Sequence, residues 1–568
     1  MPPIDARRFD PSAESPVRRP AADAAPNARA LGLLHPFRLA AAGFAAVLGG
    51  CMVGPHYHAP QPKLPPSYSE AKPAASESPE ALETWWTTFH DPTLDSLIER
   101  ALRNNRDLQV AASRIREARW ERVVAAGGLL PNLDATGGYD RGLGSKNVVL
   151  PFGAGAGGTG SGGARSDPPS GPGLRPQEVP GSSGGSGSAG GAASGGSSAV
   201  PPGGPNNPLG EGGFPGITTS LYQAGFDASW ELDLFGGARR AVQAADATIA
   251  AAQDQASAVR VSLLAEVAET YVQLRAEQTR ERLAKRDLKD EEELLSIARD
   301  KFRAGLMTED LVAQQEAQVD ATKATLPPLV ASEHASRHAL AFLLDENPGA
   351  LDAELGPAKP LPALPDALPV GLPSDLLRRR PDIRQAERQL AAATAEVGEA
   401  VARLFPSFSL TGTFGWDSSA LKSLPDWASH YYSISPGIDW PLLDWKQLRA
   451  AVHIQSEAQQ QAFLAYRTSV AQALRDVEDA LVQYESDRTR RQALAAAAAA
   501  SRRALTVARQ TYANGLSNVL ATLDAERTLV QSEDALSQGD AALRTDLIAL
   551  YKALGGGWSP AGSKVAQG

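Results

Sequence analysis

Side chains able to do chemistry are few in this chain of 568 residues, and hardly any stand close enough to act together. There is one cysteine, Cys51, which excludes an internal disulfide framework and any zinc site built on cysteines. His56 and His58 follow it in CMVGPHYHAP with no third ligand nearby, so solvated side chains suit them better than a metal site. Arg378, Arg379 and Arg380 stand together before Pro381, but a net charge of −10 opposes a nucleic-acid reading, and a helix start accounts for them. The run GAGAGGTGSGG is tempting as a phosphate loop. No strand leads directly into it and no Lys-Ser/Thr follows, so it reads as low complexity. No Ser/His/Asp or Cys/His constellation survives inspection. The sequence therefore assigns no catalytic residue and no metal or cofactor.

Cys51 remains, and its position is informative. It stands directly behind the apolar run LAAAGFAAVLGG, itself preceded by Arg29, His35 and Arg38. That run suits a secretory h-region and is too short to span a bilayer as a helix. Leu48, Gly49, Gly50 and Cys51 resemble the bacterial lipobox. The resemblance implies cleavage between Gly50 and Cys51, with diacylglycerol and palmitate carried by the new N-terminal Cys51. A buried structural thiol is the alternative. The residues that follow oppose it: Pro55, Pro60, Pro62, Pro65 and Pro66 suggest an unfolded stretch with no core to offer. Two or three acyl chains anchor stably where one does not. Residues 1 to 50 read as a signal peptide with an unusual N-terminal extension.

The elements beyond this point come in two copies. ARDKFRAGL matches ARQTYANGL, with Gly305 and Gly515 separated by 210 (515 − 305). The same offset pairs Trp230 with Trp440, Arg239 with Arg449 and Leu344 with Leu554. Upstream the offset becomes 275, pairing Asp107 with Asp382 (382 − 107). The difference, 275 − 210 = 65, is an insertion in the first copy, visible as the Gly/Ser/Pro tract from Gly142 to Gly216. Internal repetition of this kind is a strong structural signal.

Each copy reads as helix, strand, hairpin, strand, very long helix, tight Gly turn and return helix. Leu133, Ala135, Gly137 and Tyr139 alternate with polar or small neighbours, and so do Tyr222, Ala224, Phe226, Ala228, Trp230, Leu232 and Leu234. Copy two repeats the scheme with Phe408, Leu410, Phe414 and Trp416, then Tyr432, Ile434, Ile438, Trp440 and Leu442. Strands of about ten residues with an apolar face and terminal aromatics match outer-membrane barrel strands. Four strands cannot close a barrel, so the chain must pool strands from several copies. From Gly237 to Arg303 there is no proline, and the run is rich in strong helix formers. Its partner runs from about Asp444 to Ala513. Their alanine-rich faces suggest a thin-walled tube rather than a thick core. Pro327 and Pro328, and the equivalent Ser537 to Gly539, suggest a junction halfway along each return helix.

Taken together, these residues resemble the TolC-like outer membrane factors, in the lipoprotein (OprM/NodT-type) branch of efflux channels. The carriers are CMVGPHYHAP, WWTTFHDPTLDSLIERALRNNRDL, AGFDASWELDLFGGARRAV, LLRRRPDIRQAERQL and YANGLSNVLATLDAERTL. The resemblance implies a mixed α+β membrane protein. A homotrimer would pool four strands per chain into a twelve-stranded transmembrane β-barrel, and a long periplasmic α-helical barrel with an equatorial region would follow. It implies a passive exit duct of a tripartite pump in the outer membrane. Its partners would be outer-membrane lipid, a periplasmic adaptor (membrane fusion) protein and an inner-membrane transporter, RND type by branch. A type I protein-secretion duct is the alternative within the class, and a lipid-anchored structural coiled coil the alternative outside it. The expected division is a signal segment 1–50, a lipid-anchored Pro-rich linker 51–84 and repeat 1 over 85–350 with its insertion 142–216. A Pro-rich linker 351–373, repeat 2 over 374–556 and a flexible tail 557–568 complete it.

The resemblance also implies a periplasmic gate. Gly305 and Gly515 are expected as the helix-tip turns. Leu520 and Asp524, one helical turn apart, match the positions where the family carries a ring of leucines near a ring of aspartates. Asp310 and Gln314 are their copy-one equivalents, and Ala521 stands where the family has a second acidic residue. The plainer reading makes Leu520 and Asp524 an amphipathic pair, with Asp524 bonded to Arg527.

Overall fold

A computed structural model describes residues 52–70, 82–143, 218–365, 373–517 and 519–559. Gly50, Cys51 and most of the Gly-rich insertion lie outside the described residues. Two units emerge, one formed by residues 130–232 and 408–439 and one by the remainder of the chain.

The smaller unit is a four-stranded sheet. Its strands are β1 (Asn132–Leu143), β2 (Thr218–Leu232), β3 (Ser407–Ser418) and β4 (His430–Asp439), ordered β1-β2-β3-β4. β1 to β3 pair antiparallel, with Ala135 opposite Phe226 and Phe226 opposite Phe414. Directly opposed residues share a face. Leu133, Tyr139, Phe226, Leu410 and Phe414 therefore form one apolar face, and each of them is exposed. On the opposite face Asp134, Asp227 and Thr413 line up across the strands. Gly225 and Gly415 meet there, and a Cβ on Gly415 would come within 2.9 Å of the Tyr431 hydroxyl, so the tyrosine covers the glycine pair. The period-two reading of β1 to β3 holds. Trp440 and Leu442, expected in the last strand, lie beyond the end of β4.

The larger unit is helical. α1 (Pro92–Asn104) and α2 (Arg106–Gly127) precede the long α3 (Gly237–Arg303), and α4 (Glu309–Leu343) returns beside it. α5 (Pro381–Ala402), the long α6 (Trp445–Ala513) and α7 (Val519–Ala553) repeat the order. α3 has 67 residues and α6 has 69, each reaching roughly 100 Å at 1.5 Å per residue. The fold keeps the repeat: α4 and α7 differ by 210 at both ends (519 − 309, 553 − 343), and α2 and α5 by 275 (381 − 106, 402 − 127). Among the described residues no helix is long and apolar enough to cross a membrane.

Two expectations for the helices are corrected. The return helices are expected to carry a kink or a junction halfway, and there is no junction: α4 runs unbroken through Pro327 and Pro328, and α7 runs unbroken past Ser537 to Gly539. The fixed φ of proline lies within the helical range, so the prolines remove two donors without ending the helix. The second correction concerns the core. Val261 to Leu274 of α3 carry a substantial one with Leu97, Leu547 and Ile548, where Trp85 stacks on Tyr551 at 5.0 Å. The apolar residues are concentrated in one section of α3, and the alanine-rich remainder masks them in composition. The stretch LLRRR is structural as expected: Arg380 pairs with Asp382 and Asp476 and precedes Pro381 at the start of α5.

Residues 52–70, expected as unfolded linker, are instead a strap packed on the helices. Val53 donates its amide to the Phe235 carbonyl at 3.1 Å, and the fully buried Arg240 donates to the carbonyls of Val53 and Gly54. Tyr57 bonds Glu387, Tyr68 is buried, and the Ser69 and Glu70 amides bond the Glu478 carboxylate at 2.7 and 3.1 Å. Extended backbone satisfied by side chains needs no apolar periodicity, which is why composition misreads it. Pro362 and Gly557 are likewise packed, their carbonyls accepting from Arg544 and Arg260.

The strap crosses α5 at Gly398, where an added Cβ would lie 2.7 Å from Arg240 Nε. Gly398→Val should push Arg240 off the strap and cost about 1–3 kcal/mol. A lower melting temperature with new protease cleavage inside residues 52–70 is the expected result; unchanged melting and protection would show the crossing to be loose.

Candidate functional site at the helix tips

α3 and α6 end in the same turn, and the backbone dictates glycine there. Gly305 and Gly515 have φ of +69° and +74°, a left-handed conformation that costs a side-chain-bearing residue energy. The Leu306 amide reaches back to the Lys301 carbonyl and the Leu516 amide to the Thr511 carbonyl, each at 2.9 Å. This is the Schellman closure of a helix end. Nothing lies within 4 Å of a Cβ built on either glycine, so the sign of φ and not crowding selects the residue. Leu306 and Leu516 stand exposed on the two turns, and Lys301 of α3 reaches the Tyr512 hydroxyl of α6.

Just above the turns a cavity of ≈ 520 Å³ opens between α4 and α7 over α3. Leu520 and Asp524 of α7 line it, together with Gln314 and Gln318 of α4 and Glu291 of α3. Leu520 is 42 % exposed. Of the three expected gate positions, Leu520 and Asp524 share this cavity, and the copy-one equivalent Gln314 lies across it. Asp310 is exposed at the start of α4 but does not line the cavity. The expected alternative, an Asp524–Arg527 ion pair, does not form. Among the described residues neither Asp524 nor Asp310 enters any ion pair, although Arg527 lines the same cavity.

In the wall of the cavity lies a carboxyl cluster that sequence reasoning missed. Glu291 and Glu526 are 4 % and 5 % exposed, and each keeps one carboxylate oxygen buried without a hydrogen-bond partner. Glu526 accepts from Arg509 at 2.6 Å and Glu291 from Gln318 at 2.9 Å. Asp287, one turn before Glu291, is pushed up to about 7, first by burial and then by Glu291, Glu526 and Asp290. Burial also raises Glu526, against the pull of Arg509. The repeat holds the signal. Arg299–Glu316 and Arg509–Glu526 are the same ion pair 210 residues apart (509 − 299, 526 − 316), at 2.7 and 2.6 Å. By that offset Asp287 and Glu291 correspond to Ala497 and Ser501. The surplus negative charge therefore belongs to copy one alone.

The expected lipidation site, Cys51, lies outside the described residues. Among the described residues no group of three or more His, Cys, Asp or Glu is arranged to hold a metal ion, and His56 and His58 are exposed.

The family model described as outer membrane efflux protein matches residues 188–345 and 372–556. Pyoverdine export outer membrane protein OpmQ of Pseudomonas putida is 30 % identical over 509 residues, covering 87 % of this chain and 94 % of that protein. Nodulation protein T of Rhizobium leguminosarum bv. trifolii is 28 % identical over 522 residues, covering 91 % and 97 %. The solved outer-membrane channel OprN superimposes with a TM-score of 0.73 at 33 % identity, over 90 % of this chain and 100 % of that one.

A raised carboxyl pKa gives a pH dependence of defined sign. The proton on Asp287 favours the fold below the ordinary value of 3.8, and that contribution is lost as pH rises through about 7. Asp287→Asn should therefore melt several degrees above the parent at pH 8 and close to it at acidic pH. A variant no more stable than the parent at pH 8 would mean that the cluster is compensated.

Proposed function

The chain belongs to the outer membrane efflux protein family, and from that premise we propose that it is the exit channel of a tripartite efflux pump, conducting small molecules passively to the exterior. Three copies pool their four strands into a closed barrel in the outer membrane. The long helices supply the wall of a periplasmic tunnel. A periplasmic adaptor and an inner-membrane transporter of the RND type feed that tunnel, and the transporter supplies the energy. On this reading the chain catalyses no reaction. The exposed Leu306 and Leu516 at the helix tips are the apolar contacts offered to the adaptor. Cys51 carries diacylglycerol and palmitate and anchors the chain beside the barrel.

One observation carries the gate: Leu520 and Asp524 line the same cavity near the helix tips, and Asp524 is free of ion pairs among the described residues. A carboxylate left without an ion pair although Arg527 lines the same cavity is available to something else. With three copies around an axis, three Leu520 side chains form an apolar constriction that dewets, and three Asp524 carboxylates bias it toward cations.

Leu520→Ser should raise basal conductance in a planar bilayer, and Asp524→Asn should weaken cation preference and block by divalent cations. Parental conductance from both would move the constriction elsewhere, with Asp310 the next position to test. Cys51→Ser should abolish acylation yet leave the oligomer intact, because the barrel buries far more apolar surface than the acyl chains. An exported variant found only as monomer would make the lipid part of assembly.

A further inference from the structure

α4 carries a feature that efflux does not use. His334 and His338 are one helical turn apart, both exposed, with ring centroids 6.2 Å apart. The helix itself is oriented from behind, because Ser336 and Leu340 turn its other side into the protein interior. We propose that His334 and His338 form a bidentate site for a borderline divalent transition cation, copper(II) foremost.

Imidazole nitrogens suit copper, nickel and zinc, and the affinity of such donors rises toward copper. Two cis ligands at about 2.0–2.1 Å from one tetragonal ion bring the ring centroids to roughly 4.5 Å. The observed 6.2 Å exceeds that by about 1.7 Å, within reach of rotation of the two side chains. The charged group nearest the pair is Arg337, and carboxylates offset its charge. Arg337 is held by Asp352 at 3.1 Å and Glu333 at 3.8 Å, two carboxylates against one guanidinium. The same guanidinium places Nη2 3.1 and 3.2 Å from the two ring nitrogens of His334. His334 must therefore turn outward, away from Arg337, to take the ion. Water would complete the coordination.

The pair is peculiar to copy one. The positions 210 residues on are Arg544 and Ile548, and Ile548 is fully buried. The histidines are thus not a requirement of the repeated helix. Bridging residues four apart would also staple one turn of α4 a short distance beyond Pro327 and Pro328, where the helix lacks two of its own donors.

The test is calorimetric titration of the detergent-purified full chain with copper(II) in a non-chelating buffer, followed by electron paramagnetic resonance. The exposed His56 and His58 are removed from the count by working in an H56A/H58A background. That background should bind one copper per chain at His334 and His338, with a resonance signature of nitrogen ligation. H334A and H338A should each lower the affinity at least tenfold, and magnesium should not compete. Retention of the same stoichiometry and affinity in either single variant would overturn the site.

Discussion

A backbone amide or carbonyl inside a bilayer has no water to turn to, so a sheet that enters the membrane must leave no edge unpaired. Among the described residues, β1 and β4 are each paired on one side only. That open ladder is the constraint on which the rest of the molecule depends. It forbids a single copy from spanning the membrane alone, and it explains why an apolar face of Leu133, Phe226, Leu410 and Phe414 is left bare. A face of that kind is costly in water and suited to lipid. Pairing β1 of one copy with β4 of the next satisfies the ladder, and repeating the step closes the ring.

Duplication supplies the parts economically, and the differences between the copies supply the chemistry. The helix ends and the Gly305 and Gly515 turns superimpose in sequence register, so the two halves present the same backbone. The side chains then diverge. Asp287 and Glu291 face Ala497 and Ser501 across the repeat, Leu520 and Asp524 face Asp310 and Gln314, and His334 and His338 face Arg544 and Ile548. Three copies of the chain would have six tip turns but only three of each of these side-chain pairs. The acidic cluster beside the cavity makes the contact between α3 and α7 sensitive to protonation, while Arg509–Glu526 and Arg299–Glu316 hold both halves alike.

Much of this was legible before any coordinates. Alternation revealed β1 to β3, because one face of a membrane strand must be apolar throughout. The offsets of 210 and 275 gave helix ends, because a turn that needs positive φ marks itself with glycine. Leu520 and Asp524 were singled out through family resemblance alone, and the cavity that joins them to Gln314 was not visible in either copy alone. The strap was missed because its order comes from Arg240, Glu387 and Glu478, residues far away in sequence. Pro327 and Pro328 misled because proline signals a helix break only where the lost bonds are not tolerated. The carboxyl cluster escaped notice because Asp287, Glu291 and Glu526 look like ordinary surface charges on helices where charge is abundant. Their burial follows only once α3 and α7 are set side by side.

The claim that most of the account rests on is closure by three copies, and native mass spectrometry of the detergent-extracted chain tests it directly. The account predicts a single dominant species containing three chains that persists when the detergent shell is stripped. A stable population of single chains, or of two or four, would contradict it, since none of those pools the strands that the open edges of β1 and β4 require.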